Sequence, residues 1–245
     1  MTSLKKEFLE TLASYIRLTD EDMFEKMLTA FPNAITDREY YIYHEGNLDK
    51  YPVVLVVHTD TVRGEVNYPI KLALAEQMFL INTNGILGAD DRAGIAMVDI
   101  LRKSNPDISV LFCNFEEIGS KGASELLRDI DREIIPSDIF DKVKLFIGLD
   151  RQGVDHYVTY HYLPFAIENI LLDLGLLNRV GSFSDTYILT EYMNIPSINM
   201  AIGYHKEHTE EEYLDYEEWL VSLGKVKDIL NISQKLPLIR LEDEL

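Results

Sequence analysis

The chain has 245 residues, 47% of them hydrophobic, which suits one large α/β domain or two small ones; no Gly/Ser/Pro-rich linker divides it, and a single domain over residues 1–245 is expected. With 42 acidic against 23 basic residues, the formal net charge of -19 repels phosphate backbones and anionic lipid, which argues against nucleic acid and membrane partners. The lone cysteine, Cys113, excludes an intramolecular disulfide framework. Charges break up the amino-terminal apolar residues that a secretory signal would need, and no run of about 18 apolar residues occurs, so a cytoplasmic protein is expected.

Residues 3–17 place Leu4, Phe8, Leu12 and Ile16 four apart, an amphipathic helix, and a second helix is expected over 20–31. Tyr40 to His44 reads as a strand before the EGN turn. Val53 to Val57 is an apolar run that leads into His58 and Asp60. After the NTNG turn, GADDRAGIAMVDILRK enters a helix with Ile95, Val98 and Leu101 on one face, which puts Asp90 at the helix entry. Ile108 to Phe112 leads toward Glu116 and Glu117, and a second helix with Leu126 and Ile130 on its apolar stripe follows the turn at Gly119 and Gly122. Leu145 to Leu149 leads into Asp150. Ser197 to Ile202 leads toward the loop GYHKEHTEEE, and a last helix starts near Tyr216. The tail from Lys235 to Leu245 is expected to be loosely held. Short apolar runs bounded by turn residues and alternating with helices predict an α/β class with a largely parallel sheet, in which ligands bind beyond the carboxyl ends of the strands.

The chemistry-bearing residues all follow those runs. His58 and Asp60 lie two apart on an extended segment, so a metal-binding imidazole can have a carboxylate at its side; alone, the pair is also an ordinary polar strand end. Asp90 and Asp91, flanked by Gly88 and Gly94, put two like charges where helix capping needs one acid, and a carboxylate shared by two cations accounts for the crowding. Of Glu116 and Glu117, one can bind metal while the other faces substrate. Asp150 ends LFIGL, where a buried carboxylate needs a cation or hydrogen-bond donors. His205 and His208 are both candidate ligands, and either could instead be a surface histidine.

Two histidines and three carboxylates, one shared, suit two divalent ions, zinc first and manganese or cobalt next, whereas histidine is a poor ligand for calcium. Ions about 3.5–4 Å apart can polarise a carbonyl and lower the pKa of a bridging water. A free carboxylate then serves as general base, and Glu116 is the natural candidate.

Taken in order, from Val53 to Asp215, these segments resemble the co-catalytic zinc exopeptidases, a grouping that includes single-domain zinc aminopeptidases, peptidase T, glutamate carboxypeptidase and acetylornithine deacetylase. The resemblance implies a three-layer α/β fold, with a mixed, mostly parallel central sheet and helices on both faces. It makes His58 a ligand oriented by Asp60, and Asp90 the bridge, with a cis peptide before Asp91. Glu116 is implied as general base, Glu117 as ligand and Asp150 as the terminal carboxylate of the first metal. His208, followed by Thr209 and Glu212 at the family's spacing, is implied as the last ligand, with His205 as the fallback. The implied sets are His58, Asp90 and Asp150 on one ion, and Asp90, Glu117 and His208 on the other. Tyr204 or His205 would then contact the substrate or its oxyanion.

GSFSDTYILTEYMNIP resembles the Ser-Asp segment of single-domain aminopeptidases, so Ser184, Asp185 and Tyr187 are candidates to line the substrate site. Many relatives insert a lid or dimerisation domain between the third carboxylate and the last histidine. His208 follows Asp150 by only 58 positions, which leaves room for no such domain. The leading expectation is a dinuclear metal-dependent exopeptidase, an aminopeptidase on short peptides. The alternative within hydrolases is an amidase, deacylase or carboxypeptidase acting on an N-acyl amino acid or dipeptide. Outside hydrolases, the alternative is a non-catalytic binding protein that keeps the fold.

Overall fold

In the three central strands, alternate residues enter two different cores, which is why their sequences read as unbroken apolar runs. The structure is a computed structural model that describes residues 3–62, 71–74, 78–161, 163–181 and 183–241, with side chains from residue 6. In β3 (Val53–His58), Val53, Leu55 and Val57 join one core and Val54 and Val56 the other. β6 (Ser109–Cys113) divides Val110 and Phe112 from Leu111 and Cys113 in the same way, and β7 (Leu145–Arg151) divides Leu145, Ile147 and Leu149 from Phe146.

Helices cover both faces. The first core is closed by α1 (Ser3–Ile16), α2 (Asp20–Ala30), α3 (Ala89–Ser104), α5 (Phe165–Asp173) and α7 (Tyr216–Ile232), and the second by α4 (Lys121–Asp131) and α6 (Asp185–Met193). α1 turns Leu12 and Ile16 fully inward. α2 is capped by Thr19, whose hydroxyl accepts the Asp22 N–H at 3.0 Å, and it ends one residue short of the expected span because Phe31 leaves helical geometry.

The eight-stranded main sheet runs β1 (Ile35–Thr36), β2 (Tyr41–His44), β6, β3, β7, β10 (Ser197–Ala201), β8 (His156–Val158) and β9 (Leu177–Arg179). Its centre, β6-β3-β7-β10, is parallel, while β2 and β8 flank it antiparallel. The four central strands therefore deliver their carboxyl ends to one edge. The expected three-layer α/β architecture is the observed one.

A second sheet has no counterpart in the sequence reading. It orders β11 (Tyr204–His205), β12 (Tyr213–Asp215), β5 (Phe79–Asn82) and β4 (Leu72–Leu74), all antiparallel. The β11–β12 hairpin carries His208 and Glu212 in its loop, and Asp215 at its end caps α7 by accepting the N–H groups of Glu217 and Glu218. Between Asp150 and His208 the described residues are spent on β8, α5, β9, α6, β10 and β11, and no lid domain stands among them.

The tail differs from expectation. Leu236 is buried, the Arg240 guanidinium donates to the carbonyls of Val143, Phe140 and Asp141, and the Leu241 N–H bonds Asn194 O at 2.9 Å. An arginine with three carbonyl acceptors anchors the segment in a way its charged composition hides. Residues 242–245 lie outside the described part. Cys113 is fully buried, and burial pushes its thiol well above the usual range. Among the described residues, no helix is long and apolar enough to cross a membrane.

Candidate metal centre

The site gathers at the carboxyl edge of the central strands. His58 is the last residue of β3, Asp150 lies near the end of β7, Glu116 and Glu117 sit in the loop after β6, and His208 sits in the β11–β12 loop beyond β10. Asp90 enters from the start of α3, where the Asp90–Asp91 peptide is cis.

Asp90 is the centre of the arrangement. One carboxylate oxygen, Oδ1, lies 2.9 Å from His58 Nε2, and the other, Oδ2, lies 3.1 Å from His208 Nε2. His58 Nε2 is also 3.4 Å from Asp150 Oδ1, and His208 Nε2 is 3.1 Å from Glu117 Oε2. Two groups result, His58/Asp90/Asp150 and Asp90/Glu117/His208, each with its donor atoms within 4.8 Å of one another. They share Asp90.

The neighbours of these residues divide the remaining work. Asp91 accepts the N–H of His58 at 3.2 Å and that of Gly94 at 2.9 Å, so it supplies the capping for which one acid suffices. Glu212 completes the cap from the opposite end of the chain by accepting the N–H groups of Gly88, Ala89 and Asp90. Asp60 accepts the N–H groups of Glu116 and Glu117 at 3.0 and 3.1 Å and so fixes the acidic loop. It bears on His58 mainly through its backbone: Nδ1 donates to the Asp60 carbonyl at 3.1 Å, while the carboxylate is 3.5 Å away. Asn199 on β10 clamps Asp150, accepting its N–H at 3.0 Å and donating to its carbonyl at 2.7 Å.

The donor set fits a pair of cations. Carboxylates crowd in a buried site around only two imidazoles, an arrangement that is expensive without positive charge. Burial and then Asp150 push Glu116 up to about 9, and burial and then Asp90 push Asp150 up to about 7. Burial alone would raise Asp90, but His208 and His58 hold it below the usual carboxylate range. Hydrogen bonds to Asp90 and Glu117 raise His208 to about 10. Glu117 Oε1 is buried with no hydrogen-bond partner, an acceptor left for something absent from the protein itself.

The other residues expected from sequence are spread unevenly. Tyr204 is buried at the centre with its hydroxyl donating to Asp150 Oδ1 at 3.2 Å. His205 is not brought in: its Nε2 lies 2.6 Å from Glu218 and its ring stacks on Tyr213. Ser184 and Asp185 share a small cleft with His58 and Asp150. Asp185 is buried, and burial pushes it up to about 7. Tyr187 sits one layer out, against Tyr160, His161 and Phe183. Asn199 was passed over in sequence, although a single amide inside the apolar run SINMA was a signal for it. Glu212 was visible only as a spacing after His208.

No protein-family model and no curated protein matches the sequence. Solved structures do match in fold. The aminopeptidase PepT of Bacillus cereus superposes with a TM-score of 0.69 at 15% identity, covering 93% of this chain and 98% of that one. A tripeptidase of Staphylococcus aureus gives 0.69 at 13% identity, covering 94% and 99%. The TET1 peptidase of Pyrococcus horikoshii, which can assemble into a tetrahedron or a large octahedral shell, gives 0.61 at 12% identity, covering 90% and 98%. The chain thus has the α/β fold that these peptidases share.

Proposed function

We propose that residues 1–245 form one catalytic unit, a dinuclear metal-dependent exopeptidase that removes amino-terminal residues from short peptides. The observation that carries this reading is Asp90, whose two carboxylate oxygens each face a different histidine and so link two complete three-residue groups. His58, Asp90 and Asp150 would hold one ion, and Asp90, Glu117 and His208 the other. Zinc suits these mixed donors, and such ions polarise a peptide carbonyl and acidify a water. Support for a peptide substrate comes from the aminopeptidase and tripeptidase of the same fold.

Glu116 is the general base in this reading. It is the one acid of the Glu116–Glu117 pair outside both candidate ligand groups, and its partly buried carboxyl stands next in sequence to the Glu117 ligand, in the loop that Asp60 fixes. It accepts the proton of the attacking water and returns it to the leaving amine. Asp60 acts by fixing the backbone of the Glu116–Glu117 pair, and Asn199 and Tyr204 act by orienting Asp150.

The test combines metal quantification with a panel of free-amine dipeptides and N-acyl amino acids. The expected result is about two divalent ions per chain and cleavage of the free-amine series, with Glu116→Gln keeping the metal while losing roughly 10²–10⁴-fold in kcat. Full activity of a metal-loaded Glu116→Gln variant would refute the assignment. Cleavage confined to the N-acyl series would move the function to deacylation.

A further inference from the structure

A cavity of about 630 Å³ opens at its inner end on Asp60 and Glu117, beside the candidate metal centre. Helical spacing puts Glu21 and Glu25 of α2 side by side along it, with the edge of the buried Phe24 beside them. Phe115, Val62 and Ile118, from the segments after β6 and β3, supply the facing apolar wall. Ile118 and Val62 are 57% and 40% exposed, so this wall is open to an incoming group.

The charges around the cavity are unequal. Among the described residues, Glu21, Glu25 and Glu39 are exposed carboxylates at its rim, against the guanidinium of Arg38. Asp20 is already committed to Arg92, 2.5 Å away. At the inner end, Glu117 of the candidate metal centre closes the cavity. An acidic side chain entering here meets net negative charge, and a short apolar one leaves the rim unused. A long aliphatic stem ending in a cation satisfies both features, with its methylenes on Phe115, Val62 and Ile118 and its head at the rim carboxylates.

Building on the peptidase reading above, we infer that this cavity is the specificity pocket for a lysine- or arginine-type side chain next to the scissile bond, with Glu21 and Glu25 as the selecting residues. Two measurements test it. Calorimetric titration of the metal-loaded protein compares lysine amide with norleucine amide, which share a stem and differ in the terminal ammonium. Lysine amide should bind about tenfold tighter, and Glu21→Gln/Glu25→Gln should erase the difference. Dipeptides X-Ala and Ala-X, with X lysine, leucine or glutamate, should show lysine favoured over glutamate in kcat/KM by about tenfold or more in one series, a ratio that collapses in the same variant. Equal binding of the two amides, or a preference for glutamate directed by Arg38, overturns the pocket assignment even if peptides are cleaved. The binding difference without cleavage of any dipeptide overturns the peptidase reading and leaves the pocket standing.

Discussion

Glu212 reaches the start of α3 from across the chain and takes over the N–H groups of Gly88, Ala89 and Asp90, which leaves the Asp90 carboxylate free to face both imidazoles. Removing a buried acceptor strands its donors, which costs about 1–3 kcal/mol. Glu212→Ala is therefore expected to destabilise the metal-free protein by about 2–3 kcal/mol in urea unfolding, and a loss under about 0.5 kcal/mol would remove this role. A second residue-scale expectation concerns His44, far from the metal centre. Burial and then Arg102, whose guanidinium lies 3.1 Å from His44 Nε2, hold this imidazole below its usual pKa. A base with a depressed folded pKa resists protonation only when folded. Its contribution is complete above the unfolded value of about 6.5 and is lost as pH falls through the window down to the folded value. His44→Phe should accordingly flatten part of the fall in urea midpoint between about pH 7.5 and 5.5. An identical slope in both proteins would count against it.

At the scale of elements, the close approach of α3 to β7 sets the spacing between Asp90 and Asp150. A Cβ on Gly94 would sit 2.2 Å from Asp91 Oδ1 and 2.6 Å from the Leu149 carbonyl, so no side chain fits without moving the helix. Gly94→Ala is expected to lose about 1–3 kcal/mol of stability, and to weaken metal retention at the His58 group, read by competition with a chelator. Unchanged retention would show that the helix position does not tune the site. Gly122 has the same character, since a Cβ there would lie 2.4 Å from the Tyr40 carbonyl. The main sheet was legible in sequence because β3, β6 and β7 are buried on both faces and leave unbroken apolar runs. The second sheet was not, since β11 and β12, which pair with each other and join β5 through β12, are two and three residues long, too short for any periodicity to register. Residue type alone does not separate His205 from His208; the spacing to Thr209 and Glu212 favours His208 and leaves His205 as the fallback. They differ in which way the hairpin turns them: His208 takes a left-handed φ of 65° in the loop, while His205 stays in the strand against Tyr213.

Across the whole molecule, the bound ions and the fold are expected to support each other. The site concentrates buried carboxylates in a chain that already carries a net charge of -19, and ions that bind only the folded state add stability, about 2.7 kcal/mol when free metal is at a hundredfold its Kd. Stripping the metal should lower Tm, and titrating zinc back should restore it in proportion to the logarithm of free metal. A Tm indifferent to metal would show that the acidic cluster does not bind ions. The β11–β12 loop gives this coupling a direction in time. His208 meets Asp90 across 118 positions, and Glu212 meets Gly88 across 124, so one short loop brings both the last imidazole and the helix cap. During synthesis, β3, α3, β6 and β7 emerge long before that loop does. An incomplete chain therefore exposes His58, Asp90 and Asp150 without the residues that finish the site, and under the proposed dinuclear reading occupancy of both metal positions would be a signature that the carboxyl-terminal quarter has docked.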